Sequence, residues 1–199
     1  MIKKIAIFMA AGAALALTAA AQRSAMPGTT SGENYVSEGK YFKCVLPKDW
    51  AKVDDMGQPA SEKKVYGADL TGAAGADGIA PSISVKYYAK GNTLFKSAEE
   101  FIKIHSKAIP GLGLPGDKYS SVTAIKIGGR TASKFERRKS DFARPRQVQN
   151  KAVSVFERYI VLPASEGFYV LNYYCVFSEA KAKLPAFDMV VKSFEPLMK

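Results

Sequence analysis

The sequence predicts an α+β domain in which one antiparallel β-sheet of about six or seven strands is flanked by helices. Three observations lead there. Short runs alternate apolar and polar residues with period two: in 82–89, Ile83, Val85 and Tyr87 oppose Ser82, Ser84 and Lys86. These runs follow one another in hairpin order and do not alternate regularly with helices, which argues against a parallel Rossmann sheet. Only two segments, 97–109 and one within 179–194, carry convincing helical spacing.

Taken in order, the chain opens with MIKKIAIFMAAGAALALTAAA over residues 1–21. Lys3 and Lys4 precede an apolar run, and Ala19, Ala20 and Ala21 supply small residues for cleavage, the pattern of a secretory signal peptide. The run is shorter than the ~20 residues a membrane span needs. No Cys lies near Ala21, so no lipid is expected there. Residues 22–39 are small, polar and Gly/Pro-containing and read as a flexible linker, with order beginning near Tyr41. One globular domain is expected over 40–197.

Within that domain, 41–46 (YFKCVL) reads as a strand ended by Pro47, with Lys48, Asp49 and Trp50 as a turn. A weaker strand covers 64–68, a Gly-rich loop 71–81 and a half-buried strand 82–89. Ser97 and Glu100 form a capping box at the head of a helix over 97–109 that Pro110 and Gly111 stop. A Gly- and Pro-rich loop spans 110–118. Next comes a hairpin, 122–127 and 130–137, around Gly128 and Gly129, a pair that permits the positive φ of a tight turn. Residues 138–151 interrupt the pattern. The strongest strands are 153–162 and 168–177, joined by 163–167. Pro185 suits the first turn of the closing helix, with Leu184, Phe187, Val191 and Phe194 on its apolar stripe.

Composition narrows the function classes. Lys and Arg outnumber Asp and Glu by 29 to 18, a formal charge of +11. One His and two Cys exclude a zinc ribbon, a haem-attachment motif and a dense disulfide scaffold. No second apolar stretch is long enough to cross a bilayer. After cleavage the protein is expected in a periplasm or outside the cell, without a cofactor or metal.

Three features give the chain a resemblance to the PsbP-like family (PsbP/DcrB-like secreted domains). They are FKCVLPKDW at 42–50, the strand and glycine turn IKIGGRTA at 125–132, and the ending. That ending is a hairpin, RYIVLPASEGFYVLNYYCVF, followed by a helix closing on Ser193, Phe194, Glu195 and Pro196. The resemblance covers roughly 38–197. It implies a PsbP-like α/β/α sandwich and a binding or assembly role; no catalytic signature belongs to these motifs.

His105, the sole histidine, sits on the apolar helix face near Phe101, Ile102, Ala108 and Ile109. As a base it would need a cleft and an orienting carboxylate; otherwise it is a core histidine bonded to backbone or water. Cys44 and Cys175 both point toward the core by strand parity. An oxidising compartment would favour a disulfide between them, and two buried thiols is the other reading. The loop GADLTGAAGADG lacks the P-loop pattern, no nucleophile elbow is present, and no carboxylate pair stands out for acid–base work.

The segment 134–151, KFERRKSDFARPRQVQNK, is the anomaly. Seven basic side chains face two acidic ones. Arg137, Arg138, Lys139, Arg144 and Arg146 are the expected anion- or partner-binding residues, presented on a loop outside the core strands, since arginine suits planar recognition of carboxylate and phosphate. The expected partner is an acidic protein or envelope surface, with anionic lipid or glycan as other sources and nucleic acid disfavoured by export. The alternatives are a solvated basic extension, or a cell-envelope hydrolase with an unrecognised site.

Overall fold

The computed structural model describes residues 31–53, 60–108, 114, 116–142 and 152–198. The elements are β1 (Gly32–Val36), a 3-10 turn (Glu38–Lys40), β2 (Phe42–Pro47), β3 (Ala51–Val53), α1 (Ala60–Lys63), β4 (Val65–Thr71), β5 (Ser82–Ala89), α2 (Ala98–His105), β6 (Lys118–Tyr119), β7 (Thr123–Ile127), β8 (Arg130–Phe142), β9 (Ala152–Ala164), β10 (Gly167–Val176), α3 (Phe177–Ser193) and β11 (Glu195–Pro196).

Eight strands form the large sheet, in the order β3-β4-β5-β10-β9-β8-β6, with β7 also paired to β8. A small sheet joins β1, β2 and β11. Every pairing is antiparallel. The α+β class expected from the sequence is the one observed; the additional strands are short edge pieces and the small sheet.

Alternation along the strands separates two apolar clusters. On one face, Leu70, Ile83, Tyr87, Ile160, Leu162, Tyr169, Leu171 and Tyr173 pack beneath α3 (Ala180, Ala186, Phe187, Val190) and the small sheet (Phe42, Cys44, Leu46). On the other, Phe135, Tyr159, Val161, Phe168 and Val170 meet Ala98 and Phe101 of α2. Burial of this apolar surface is the main favourable term in folding.

Local signals act as the sequence suggests at two places. The Ser97 side chain accepts from the Glu100 N–H at 3.2 Å, and the Glu100 carboxylate reaches back to the Lys96 N–H at 2.5 Å. At the β7–β8 turn, Gly128 and Gly129 adopt φ of 54° and 79°, the left-handed region that a two-residue hairpin turn requires.

Four expectations need correction. The segment read as linker contains β1, which pairs along β2 from Gly32 opposite Pro47 to Val36 opposite Lys43. A polar strand gains its ladder from a distant partner, which composition does not reveal. Ser37, just after β1, is buried, and its hydroxyl accepts from the N–H groups of Tyr41 and Phe42. Order therefore precedes Tyr41. Pro185 lies inside α3 and not in its first turn, because the helix begins at Phe177 directly from β10. The strand read as ending at 137 runs on to Phe142, carrying part of the basic segment into the sheet. The expected signal peptide and residues 22–30 lie outside the described residues.

Candidate functional site

The basic segment divides three ways. Arg137, Arg138 and Lys139 sit on β8, in register with Glu157, Phe156 and Val155 of β9. Arg144 and Arg146 lie outside the described residues. The picture of all five cations on a loop is thus corrected for the first three.

The register of β8 on β9 matches a repeated tripeptide. Phe135-Glu136-Arg137 on β8 and Phe156-Glu157-Arg158 on β9 are the same sequence. Run antiparallel, they place Glu136 opposite Arg158 and Arg137 opposite Glu157. Successive side chains point to opposite faces, so one salt bridge forms on each side of the sheet. A one-residue slip would break both, which pins the register.

On the α2 face, Glu157 is only 5% exposed. Arg137 Nε donates to Glu157 Oε2, and a terminal nitrogen of the same guanidinium donates to the Tyr159 hydroxyl at 2.8 Å. The Tyr159 hydroxyl in turn donates to Glu157 Oε2 at 3.2 Å. Lys139 Nζ stands 3.8 Å from Glu157 Oε1. Burial lowers the Lys139 pKa, with Arg137 adding to the effect.

His105 packs beside this network. Its ring stacks on Phe101 at 4.0 Å and lies 5.5 Å from Tyr159. Nδ1 is 2.8 Å from the Phe101 carbonyl, an acceptor, so Nδ1 donates. Burial lowers the His105 pKa; the Phe101 carbonyl opposes this, and Arg137 and Lys139 reinforce it. His105 is thus a half-buried histidine at the edge of the core, bonded to backbone.

The opposite face is arranged differently. An open groove of about 340 Å³ is lined by Lys118, Ser120, Glu136, Arg138, Phe156 and Phe177, among others. Glu136 is engaged by Arg158 at 2.8 Å and Lys134 at 3.3 Å. Arg158 also approaches Asp188 of α3 at 3.6 Å. Arg138 Nε donates to the Ser154 hydroxyl at 2.7 Å, and the guanidinium carbon lies 3.8 Å from the centre of the Phe177 ring. Phe177 is 44% exposed. Lys118 of β6 stands directly opposite Arg138 in the ladder. Among the described residues, no carboxylate pairs with Lys118 or Arg138.

Lys118, Phe156 and Phe177 did not emerge from the sequence. Lys118 read as the end of a loop and Phe177 as the end of a strand, and only the fold brings them beside Arg138. Glu157 was legible in principle, through the repeated tripeptide.

Cys44 and Cys175 are buried, free thiols on different sheets. Burial pushes the Cys44 thiol up to about 12 and raises that of Cys175. In the Gly-rich loop, the Ala76 backbone hydrogen-bonds the Glu179 carboxylate, which also pairs with Lys183 at 2.7 Å. Among the described residues, no group of three or more His, Cys, Asp or Glu could hold a metal ion. No helix there is long and apolar enough to cross a membrane.

The two-face antiparallel architecture is a PsbP-like fold. The chain is similar to cyanobacterial PsbP (CyanoP) from Synechocystis sp. PCC 6803, with 16% identity over 85% of this chain and 94% of that one, at a TM-score of 0.50. It is similar to the Ran-binding protein Mog1p of Saccharomyces cerevisiae, with 13% identity over 85% and 97% and a TM-score of 0.51. A third likeness is to LpqN of Mycobacterium tuberculosis, involved in cell envelope biogenesis, with 13% identity over 82% and 89% and a TM-score of 0.49. No family model matches the sequence, and no curated protein does.

Proposed function

We propose that this protein is an exported, non-enzymatic binding module of PsbP-like fold that docks on an acidic protein surface through the basic end of β8. The carrying observation is Lys118 facing Arg138 across the ladder without a carboxylate partner among the described residues. Like charges directly opposite one another destabilise a sheet, and an acidic partner relieves that cost. Arg144 and Arg146 follow in the chain and add to the same local charge. Arg137 and Lys139 contribute through structure, since Glu157 engages them. Export to a periplasm or beyond rests on the leader pattern of 1–21. A fold neighbour that is a Ran-binding protein fits a module whose partner is a protein.

The test is co-sedimentation with immobilised polyglutamate at low and high salt. Lys118, Arg138, Arg144 and Arg146 are changed to Gln together, while Arg137 is kept because it holds the buried network. Binding should fall steeply as salt rises, since exposed charges are screened within ~8 Å at physiological ionic strength. The fourfold variant should lose it with its circular dichroism unchanged. Equal binding by both proteins defeats the proposal.

A further inference from the structure

We infer that the groove between β6 and the start of α3 is a peptide site for an acidic segment, one that seats a carboxylate between Lys118 and Arg138 and lays a neighbouring apolar side chain on Phe177. The inference rests on the docking reading above and names its ligand.

Three features select that occupant. Arg138 is preorganised: its guanidinium rests on the Phe177 ring at 3.8 Å, and Ser154 holds Nε at 2.7 Å. A guanidinium has five N–H donors in a planar fork, so with Nε committed the terminal nitrogens retain the geometry for a bidentate acceptor. Fixing the fork beforehand reduces the ordering cost of binding. Lys118, opposite in the ladder, supplies a second positive charge on the same oxygen pair.

The apolar part distinguishes a peptide from a bare anion. Phe156 and Phe177 line the groove beside the cations, and Phe177 is 44% exposed although it begins a helix packed on the core. A free phosphate or a sugar carboxylate would leave that ring in water. A peptide with an acidic residue next to a Phe or Leu covers it. The groove's own carboxylate, Glu136, is held by Arg158 and Lys134 and does not quench the pair.

The experiment measures fluorescence anisotropy of the purified protein with labelled Gly-Asp-Phe-Asp-Gly. Controls are the Phe-to-Ser and Asp-to-Asn peptides, polyglutamate, and vesicles containing anionic phospholipid. The Asp/Phe peptide should bind at least about tenfold more tightly than the Asn version, as a charge-assisted fork demands. It should also beat the Ser version. Arg138→Lys, which keeps the charge and removes the fork, should weaken it about tenfold. Phe177→Ser should erase the preference for Phe over Ser while leaving polyglutamate binding and the circular dichroism intact. If wild type binds both peptides equally, or Phe177→Ser changes nothing, the peptide site is wrong while the docking function stands. If vesicles bind and the peptide does not, a lipid surface replaces it. If neither polyglutamate nor the peptide binds in a salt-dependent way, both readings fail.

Discussion

Arg137 and Arg138 are neighbours in the chain and opposites in the fold. Arg137 points to the α2 face, where Glu157 and Tyr159 take its donors. Arg138 points to the α3 face, into an open groove, with a serine hydroxyl, a phenyl ring and a lysine around it. The alternation of a strand alone assigns the first to structure and the second to the surface. Net charge therefore merges two kinds of cation: Arg137 faces a buried carboxylate, and Arg138 faces Lys118.

The largest way to break this comparison is at Glu157. Glu157→Leu leaves Arg137 and Lys139 without their carboxylate in a site that is nearly closed to solvent. Denaturant unfolding should show a loss of about 3 kcal/mol. Glu157→Leu with Arg137→Met should recover most of it, because replacing a buried pair by apolar side chains of similar size is often neutral. No recovery would mean that the pair is not the unit.

A smaller effect is expected at His105. His105→Gln removes a ring stacked on Phe101 and should cost about 1 kcal/mol, with polyglutamate binding unaltered. Its pH signature is more informative. The folded protein lowers the His105 pKa below its ordinary 6.5, so the unfolded chain takes up the proton first. Its contribution is present above pH ~6.5 and is lost as pH falls through the folded value. Arg137, Lys139 and Tyr159 are the charged and titratable groups facing the ring. The stability difference between wild type and His105→Gln should therefore shrink between pH 7 and 5. A constant difference would show a ring whose titration neither burial nor its cationic neighbours shift.

On the groove side, Lys118→Gln with Arg138→Gln should change stability by no more than about 0.5 kcal/mol, measured as a thermal midpoint. A loss comparable to that of Glu157→Leu would make Arg138 structural and erase the contrast. The smallest expectation is zero. Cys44 and Cys175 are free thiols, so reductant should leave the midpoint unmoved, and two thiols should label after unfolding. A midpoint that drops on reduction would reveal a bridge.

Much of the fold was legible because its signals are local. The strand 82–89, the Ser97 cap and the Gly128–Gly129 turn each depend on residues within a few positions of one another. The candidate site was legible only as a cluster of positive charge. Its separation into paired and available cations was not, because a guanidinium acquires its environment from β6, β9 and α3. The repeated Phe-Glu-Arg is an intermediate case: it is visible in the sequence, but it has meaning only when the two copies are read as antiparallel partners.

By itself, the sequence determined the α+β class, the core parity of the main strands, and the excess of positive charge near residue 140, through periodicity, turn chemistry and composition. The tertiary structure decided that a polar stretch at 32–36 is a strand, that α3 starts at Phe177, and that Arg138 faces Lys118. These are long-range matters. Ladder hydrogen bonds and ion pairs are satisfied by residues far away in the chain, and the energy that settles them comes into being only when the partners meet.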